Sequence, residues 1–289
     1  MTLSTQSDCS PQTDRPSQTD CPSQSDGGPD TVRDLFGLPV NALTMDQVLA
    51  RVHRAIDRKA PLHIGVISAS KVANMRRDAE LRDAVLQSDI ILADGMSVVW
   101  ASKLLRRPLP ERVAGIDLMT EILRTGSARG DRVYCFGATD EVLGAVKQHI
   151  ANAYPGIVVA GSHCGYYDKV DESKIADDIA ASNADVLFVA MSSPMKEQFL
   201  SRYAAQINVP VTHGVGGSFD VVAGKVKRAP KLWQKLGCEW LYRVWQEPGR
   251  MWKRYLVTNT IFLMMLVGEF FGASRRRQSQ QPTTSTKPT

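Results

Sequence analysis

A carboxylate stands at the end of an apolar run in the segment SDIILADGMSVVW. Asp94 follows four apolar residues, and a glycine and a second apolar run come directly after it. Asp is a favoured residue at the start of a helix, so Asp94 could cap the helix that the second run predicts. The alternative is a general base held among apolar walls, placed to take a proton from a hydroxyl group. Spacing alone leaves both interpretations open.

Two further segments carry residue types that bind phosphate. The turn HGVGGSF supplies Gly214, Gly216 and Gly217, which would let a ligand phosphate approach the backbone closely. The turn lacks the spacing of established nucleotide-binding loops, so a purely structural turn is an equal alternative. In ERVAGIDL, Arg112 stands just before a helical pattern. It could be a phosphate clamp or a partner in a surface salt bridge.

The sequence does not indicate a metal centre. It contains no Asp-x-Asp pair and no cluster of His, Cys and carboxylate residues at metal-ligand spacing. It also lacks the Gly-x-Ser-x-Gly elbow of a serine hydrolase. The five cysteines are odd in number, which indicates reduced thiols in a cytosolic protein rather than a disulfide framework. We therefore expect neither a metal nor another cofactor.

Helices and strands that could position these residues alternate along residues 32–224. Helical apolar spacing, as in MDQVLARVHRAID behind Thr44, alternates with β-rich runs such as LHIGVIS, DIILA, RVYCFGA and DVLFVAM. This order predicts an α/β protein with a Rossmann-like, mainly parallel sheet covered by helices on both faces. Ligands bind at the carboxyl ends of parallel strands, so Asp94, Ser68 and the glycine-rich turn should share one edge of the sheet.

The two ends of the chain differ from this middle part. Residues 1–31 repeat Ser, Gln, Thr, Asp and Pro without apolar periodicity, so we expect a disordered leader that is not a signal peptide. Residues 225–254 hold nine basic and only two acidic side chains, interleaved with tryptophan and tyrosine. We expect a helical appendage over residues 225–272 and a disordered tail over residues 273–289.

The basic, aromatic appendage indicates a polyanionic partner. Aromatic side chains among lysines and arginines can stack bases, which would suit a nucleic acid. A membrane surface fits better, because Trp and Tyr favour the headgroup level and the apolar run LVTNTIFLMMLV follows. This run is shorter than the roughly 20 residues of a spanning helix, so we expect an interfacial helix. A helix packed in an ordinary core is the remaining alternative.

Together these segments resemble the WecG/TagA/CpsF family of bacterial glycosyltransferases. The resemblance covers about residues 36–265 and rests on ADG, ERVAGIDL, YPGIVVAG, GYY, SSPMKEQF, HGVGGSFDVVAGKVKRAP and CEWLYRVWQEPGRMWKRY. It implies an inverting, metal-independent transfer of a sugar from a UDP-sugar to a saccharide on a polyprenyl diphosphate. The implied location is cytoplasmic, peripheral on the inner face of the cell membrane, with an appendage that closes the site over a Rossmann-like core.

The resemblance also implies roles for individual residues. Asp94 would be the base that deprotonates the acceptor hydroxyl, and Arg112 would clamp the diphosphate. Arginines of the appendage would bind UDP or lipid phosphates: Arg228, Arg243, Arg250 and Arg254. Further substrate contacts would come from the strand ends and the glycine-rich turn: Ser68, Lys196, Glu197, Gly214, Gly216 and Gly217.

Two segments depart from the family pattern near the donor sugar. Val66 and Ser68 replace a Thr-x-Asn pair, and SSPMKE replaces Gly-x-Pro-Lys-Gln-Glu, so that Lys196 stands for Gln. These variants resemble the exopolysaccharide branch, whose β-1,4-glucosyltransferases add glucose to a lipid-linked glucose. The alternatives are a UDP-N-acetylmannosamine or N-acetylmannosaminuronate transferase, and a nucleotide or nucleic-acid binding module without catalysis. The oligomeric state stays open, and a homo-oligomer is one option.

Overall fold

A computed structural model describes residues 31–278 of the chain, without the side chains of residues 235, 250 and 272–278. Nearly all of the expected leader and the last part of the expected tail, residues 279–289, lie outside the described residues. The described part contains an N-terminal hairpin, a central α/β unit and a C-terminal group of helices.

The hairpin consists of two antiparallel strands, β1 (Val32–Leu35) and β2 (Leu38–Asn41). Phe36 and Gly37 form its turn, both with positive φ angles, of 59° and 72°. The side chains of the hairpin that face inward are buried in one of the hydrophobic clusters that flank the sheet. The sequence analysis did not predict this hairpin, because four residues per strand give too short a pattern to read.

Six parallel strands form the central sheet: β3 (Leu62–Ile67), β4 (Ile90–Ala93), β5 (Arg132–Gly137), β6 (Val158–His163), β7 (Val186–Ala190) and β8 (Val211–Gly214). Their spatial order is β4-β3-β8-β7-β5-β6, and every neighbouring pair is parallel. All six carboxyl ends therefore meet at one side of the sheet, which we call the carboxyl edge. The residues of β4, β7 and β8 are buried throughout, as expected for strands covered on both faces.

Helices cover both faces of the sheet and follow it at the C-terminal end. They are α1 (Met45–Arg58), α2 (Ala69–Met75), α3 (Ala79–Leu86), α4 (Met96–Leu104), α5 (Gly115–Arg129), α6 (Asp140–Ala153), α7 (Glu172–Ala181), α8 (Met195–Ile207), α9 (Ser218–Val222), α10 (Lys231–Lys235), α11 (Glu239–Gln246) and α12 (Pro248–Gln278). Helices α1, α5 and α6 pack on one face, and α2, α3, α7 and α8 on the other. The predicted α/β class is confirmed.

Local signals explain where two of the helices begin. Thr44 caps α1 through a capping box with Gln47, as the sequence indicated. The segment ANMRRDAELRDAVLQ contains the end of α2 and all of α3. Asp78 accepts a hydrogen bond from the Leu81 backbone N–H at 2.9 Å and so starts α3 anew.

The C-terminal helix is longer than predicted. α12 has 31 residues and ends at Gln278, so the boundary expected at residue 272 lies inside it. Its segment Met251–Phe271 is 21 residues long and apolar enough, by length and composition, to cross a bilayer. The run at residues 256–267 is shorter than a spanning helix, as the sequence indicated, and lies inside this longer apolar segment.

One side of α12 packs against the α/β unit. The Ser70 hydroxyl of α2 lies 3.1 Å from the Thr258 hydroxyl, and the Phe262 ring lies 5.1 Å from that of Phe36. Glu269 accepts hydrogen bonds from the Phe36 backbone N–H and from Arg107, both at 2.9 Å. Only 11% of the apolar segment is buried, so its other sides carry exposed apolar side chains.

Candidate active site

Asp94 lies at the carboxyl edge, immediately after β4. Its backbone N–H donates to the Ile67 carbonyl at the end of β3, and its Oδ1 accepts from the backbone N–H of Gly115 at 2.9 Å. The helix that follows Asp94 begins after Gly95 without a side-chain cap. The cap interpretation is therefore wrong for α4. Asp94 instead accepts from the first turn of α5, at the end of that helix where the backbone N–H groups carry partial positive charge.

His213 supports the same turn of α5 from within the sheet. Its ring is fully buried in β8, and Nε2 lies 3.0 Å from the Gly115 carbonyl oxygen. Because the carbonyl can only accept, Nε2 carries the proton. Burial, with a smaller contribution from the charge of Lys196, lowers the pKa of His213 to about 4. The ring therefore stays neutral at physiological pH and acts as a support for Gly115.

Two arginines and two carboxylates form an ion-pair network beside Asp94, here called the arginine cluster: Arg112, Asp117, Arg228 and Glu239. Arg228 binds both oxygens of Asp117, at 2.7 and 2.8 Å. Arg112 lies 3.3 Å from the Asp117 carboxylate and 3.1 Å from that of Glu239. Both sequence-based alternatives for Arg112 assumed a single role. The structure gives it a salt bridge within a half-buried site, 14% exposed, that joins α5 to α11.

The environment of Arg228 favours its charged form. Burial opposes the charge, but the hydrogen bonds and charge of Asp117 outweigh burial and raise the pKa of Arg228. The negative charges of Glu239 and Asp94 act in the same direction. Arg228 therefore interacts electrostatically with Asp94, although it lies in the segment between α9 and α10.

A second charged group lies at the carboxyl edge and is called the lysine cluster: Lys71, Lys196 and Glu197. Lys71 Nζ lies 2.7 Å from Glu197 Oε1, and Lys196 Nζ lies 3.6 Å from the same oxygen. The three side chains are 11%, 10% and 7% exposed, respectively. Glu197 Oε2 is buried and has no hydrogen-bond partner among the described residues.

Burial and mutual charge shift the pKa values in this cluster. Burial, followed by the like charge of Lys71, lowers the pKa of Lys196 to about 8, while Glu197 and Asp94 oppose that shift. Burial opposes ionisation of Glu197, but the charges of Lys71 and Lys196 outweigh it and lower the pKa of Glu197 to about 2. Glu197 is therefore an anion at neutral pH, whereas Lys196 is only marginally held in its cationic form.

The glycine-rich turn leaves space for Lys196. A Cβ atom at Gly214 would lie 3.1 Å from Lys196 Cε, and one at Gly216 would lie 3.5 Å from Lys196 Nζ. Gly216 also has a φ angle of +52°, which disfavours other residues. Gly217 precedes α9 and is exposed. These contacts support the structural role of the turn, and its contact with a ligand phosphate stays a prediction.

Of the remaining predicted site residues with described side chains, only Ser68 forms a hydrogen bond with the charged clusters at the carboxyl edge. Ser68 caps α2 by accepting from the Lys71 backbone N–H at 3.4 Å, so it positions the helix that carries Lys71. Arg243 is half-buried on α11 and Arg254 is exposed on α12, and neither forms an ion pair with a described residue. The side chain of Arg250 lies outside the described part. The structure thus brings Ser68, Asp94, the two charged clusters and the glycine-rich turn to one edge, without an ion pair that joins Arg243 or Arg254 to it.

The sequence analysis missed three residues of this edge: Lys71, Asp117 and Glu239. Asp117 lies in the quoted segment ERVAGIDL, five residues after Arg112, and its place in the first turn of a helix was an available signal. Lys71 and Glu197 are 126 residues apart, and Arg112 and Glu239 are 127 apart. No local pattern connects partners at such separations.

Within residues 31–278, no three or more His, Cys, Asp and Glu side chains are grouped so that they could hold a metal ion. The metal-independent mechanism implied by the resemblance is still a prediction. The edge nevertheless places Asp94 beside four cationic side chains, Lys71, Arg112, Lys196 and Arg228, which share three carboxylates, Asp117, Glu197 and Glu239. Such cations can stabilise negative charge on a substrate.

Comparison with known proteins assigns the chain to a family. The model described as the glycosyl transferase WecG/TagA/CpsF family matches residues 33–276, which is most of the chain. The chain belongs to the WecG/TagA/CpsF family. The resemblance noted in the sequence is therefore confirmed, and this family member is a glycosyltransferase.

Three curated relatives carry the name N-acetylglucosaminyldiphosphoundecaprenol N-acetyl-beta-D-mannosaminyltransferase. The Bacillus spizizenii protein is 42% identical over 175 residues, which cover 60% of this chain and 67% of the relative. The Bacillus subtilis protein is 36% identical over 214 residues, covering 74% and 82%. The Staphylococcus aureus (strain NCTC 8325 / PS 47) protein is 33% identical over 223 residues, covering 75% and 87%.

These names correct the branch expected from the sequence. The variants at Ser68 and Lys196 suggested the exopolysaccharide β-1,4-glucosyltransferases, but the similar proteins are named for an N-acetylmannosaminyl group and an N-acetylglucosaminyl acceptor. The error arose because two short segments near the donor were given more weight than the remainder of the chain.

Proposed function

We propose that this glycosyltransferase transfers N-acetylmannosamine from a UDP-linked donor to an N-acetylglucosaminyl-diphosphoundecaprenol acceptor. The observation that carries this proposal is the shared name of relatives that are 33–42% identical to the chain. The site is compatible with it, because an anionic donor and a diphosphate-linked acceptor would both be attracted to the cations around Asp94.

In the proposed reaction Asp94 is the general base. Its Oδ1 is fixed by Gly115, and Oδ2 forms no hydrogen bond with a described residue, so Oδ2 can face an acceptor hydroxyl. Asp94 takes the hydroxyl proton as the acceptor oxygen forms a bond to the anomeric carbon. The bond from that carbon to UDP breaks with its electron pair leaving on UDP. Attack opposite the leaving group inverts the anomeric centre.

The arginine cluster supplies positive charge for the departing diphosphate. Arg112 and Arg228 are already charged and are oriented by Asp117, which reduces the reorganisation needed when UDP leaves. Glu239 is the partner of Arg112 that a phosphate would displace, because Asp117 is also held by Arg228, whereas Glu239 has no second ion pair with a described residue. Arginine forms bidentate pairs with phosphate, so this exchange retains favourable geometry.

A matrix of donors and acceptors tests the proposal. Purified full-length protein is incubated with UDP-N-acetylmannosamine, UDP-N-acetylmannosaminuronate or UDP-glucose, and with lipid-linked N-acetylglucosamine or lipid-linked glucose. We expect UDP release and a disaccharide-lipid only from the N-acetylmannosamine and N-acetylglucosamine pair. The anomeric configuration of that product, read by NMR, should be inverted. Product from another pair alone contradicts the donor or acceptor, and binding of UDP without any turnover indicates a binding module.

We also propose that the enzyme works at the inner face of the cell membrane, held there by α11 and α12. Exposed tryptophans and apolar side chains support this, among them Trp245, Trp252, Leu263 and Val267. The double variant Leu263→Glu/Val267→Glu should lose flotation with anionic vesicles, while Leu86→Glu, an exposed apolar position on α3, should not. Equal flotation of both variants and the wild type would contradict anchoring through α12.

A further inference from the structure

A cleft lies between the N-terminal hairpin, α2, α3 and α12, away from the charged clusters around Asp94. Its volume is about 150 Å³, which is far more than a single water requires and enough for several methylene groups. Its apolar walls come from the hairpin, α2 and α12: Phe36, Leu38, Val72, Met75 and Met265. A cleft with such walls offers water few partners and favours a hydrocarbon chain.

Two exposed arginines line the same cleft. Arg76 follows α2 directly, and Arg82 is on α3. Arg82 donates a long hydrogen bond of 3.3 Å to the Gly37 carbonyl, and neither arginine forms an ion pair with a described residue. Asp34 in the hairpin accepts from the Gly37 backbone N–H and lies 3.8 Å from Arg107. The two guanidinium groups are therefore available to an anion.

The carboxylates near these arginines along the chain face other partners. Asp78 accepts from the Leu81 backbone N–H at 2.9 Å and caps α3. Glu80 accepts from the Gln198 side chain of α8 at 3.1 Å. Asp83 follows Arg82 on α3, and adjacent residues of a helix point about 100° apart. The cleft thus combines apolar walls with a positively charged rim.

The cleft borders the exposed apolar side of α12. Leu263 is 59% exposed and Met264 is 64% exposed, and Met265, which follows them, lines the cleft. The contacts of Thr258 with Ser70 and of Phe262 with Phe36 hold α12 beside α2 and the hairpin. A bilayer that contacts the exposed side of α12 therefore also meets the cleft.

The remainder of the sequence has little to fill this space. Residues 1–30 contain only two large apolar side chains, Met1 and Leu3, and residues 279–289 contain none. An occupant that matches both the walls and the rim is a molecule with an apolar chain and an anionic phosphate. Arginine forms paired hydrogen bonds with phosphate oxygens, which suits the rim.

We propose that this cleft binds one anionic phospholipid of the bilayer, with its phosphate on Arg76 and Arg82 and part of an acyl chain against Val72, Met75 and Met265. The inference rests on the proposed membrane location. It adds a defined lipid site on the α/β unit to the general attachment through α11 and α12.

Such a site would orient the enzyme on the membrane. α2 begins after Ser68, which lies beside Gly95 at the carboxyl edge, and its seven residues span about 10 Å. A headgroup held at the far end of α2 therefore keeps the carboxyl edge close to the bilayer surface. A lipid-linked acceptor would present its sugar at that surface.

Photolabelling of the full chain tests the cleft. Vesicles of phosphatidylcholine and phosphatidylglycerol in equal amounts carry a trace of either lipid with a diazirine on its acyl chain. Phosphatidylcholine has the same phosphate but adds a cation that the two arginines repel. Because each arginine near an anionic lipid contributes about 1 kcal/mol, photoreactive phosphatidylglycerol should label the cleft about tenfold more than photoreactive phosphatidylcholine. Mass spectrometry of the peptides that contain Val72, Met75 and Met265 locates the label.

Two variants separate the cleft from the rest of the membrane surface. Arg76→Gln/Arg82→Gln should reduce labelling by phosphatidylglycerol about tenfold, so that both lipids label the cleft equally. Met265→Trp should fill the cleft and abolish its labelling, while flotation with the vesicles persists. Arg54→Gln/Arg58→Gln removes two exposed arginines of α1, on the opposite face of the sheet, and should label like the wild type.

The outcomes separate this inference from the proposed function, because labelling requires neither donor nor acceptor. Equal labelling of the wild type by both lipids, or label confined to other regions, overturns the lipid site. Removal of the label by polyprenyl phosphate at a lower concentration than by phosphatidylglycerol assigns the cleft to a polyprenyl chain and also overturns it. A wild type that floats with neither vesicle rejects the membrane location as well. Labelling of a protein without transferase activity rejects only the proposed function.

Discussion

The two charged clusters that flank Asp94 have the same number of cations but different net charges. The arginine cluster pairs Arg112 and Arg228 with two carboxylates, and its side chains are partly exposed. The lysine cluster has two ammonium groups, one carboxylate and almost no exposure. The first is neutral overall and the second has a charge of +1 in its fully ionised form.

This difference indicates different tasks. The balanced, half-buried arginine cluster links α5 to α11 and so connects the α/β unit to the C-terminal helices. The unbalanced, buried lysine cluster leaves Lys196 without a close counter-charge, and burial and the charge of Lys71 lower the pKa of that ammonium group. Asp94 lies between them, because its charge affects the pKa of both Arg228 and Lys196.

The largest expected effect lies at Asp94, between the clusters. Asp94→Asn should reduce the turnover number by about 10²- to 10⁴-fold, because an amide cannot take the acceptor proton. The fold should persist, since the amide oxygen can still accept from the Gly115 N–H. UDP release with donor and acceptor measures the effect. Asp83→Asn, at an exposed carboxylate on α3, is the control, and wild-type turnover in folded Asp94→Asn would remove Asp94 as base.

Removing the one carboxylate of the lysine cluster should have the largest effect on stability. Glu197→Gln leaves two buried ammonium groups without a counter-charge, so unfolding free energy should fall by about 3 kcal/mol. Urea unfolding at pH 7 measures this change, with the exposed Glu141→Gln as control. A loss no greater than that of the control would show that the lysines re-pair or lose their protons without penalty.

The pH dependence of the same variant has a definite sign. The pKa of Glu197 is lowered to about 2 in the folded protein, from an ordinary value of 4.5. Its contribution to stability is therefore present above pH 4.5 and is lost as the pH falls towards 2. The difference in stability between wild type and Glu197→Gln should shrink over this interval.

Replacing the under-paired lysine should have a smaller effect with the opposite sign. Lys196→Met removes a buried charge but leaves the Lys71–Glu197 pair intact, so unfolding free energy at pH 7 should rise by about 1 kcal/mol. Because the pKa of Lys196 falls from 10.5 to about 8 on folding, wild-type stability gains a component as pH rises from about 8 to 10.5. The variant should lack it. Chemical denaturation across this range checks both points, and destabilisation at pH 7 would contradict the comparison.

The smallest expected effect is at the edge of the arginine cluster. Glu239→Gln weakens a half-buried pair with Arg112, which should lower unfolding free energy by only about 0.5 to 1 kcal/mol. The more sensitive readout is limited proteolysis, where cleavage within residues 231–246 should become faster because α11 is held less firmly. Glu121→Gln, which breaks an exposed pair on α5, should leave that cleavage unchanged. Unchanged cleavage in Glu239→Gln as well would show that α11 is held by packing alone.

Much of the α/β unit could be predicted from the sequence, because each signal was local. The strand around DIILA and the helix that follows Thr44 are predicted by patterns of residues that are neighbours along the chain. The hairpin at Val32–Leu35 and Leu38–Asn41 was missed since its strands are very short. The predicted appendage ended at residue 272, whereas α12 continues to Gln278, and Thr258 donates to the Arg254 carbonyl within this continuous helix.

The candidate site was predictable only in part, and for the same reason. The sequence by itself determined the parallel sheet, the position of Asp94 at its carboxyl edge, and the family, since these depend on local pattern and collinear segments. The sequence could not determine which residues Asp94, Arg112 and Lys196 would contact. Those partners come from segments more than a hundred residues away in the cases of Arg112 with Glu239 and Lys71 with Glu197. Charge balance and burial are sums over such partners, so only the tertiary structure decided that one cluster is neutral and the other is not.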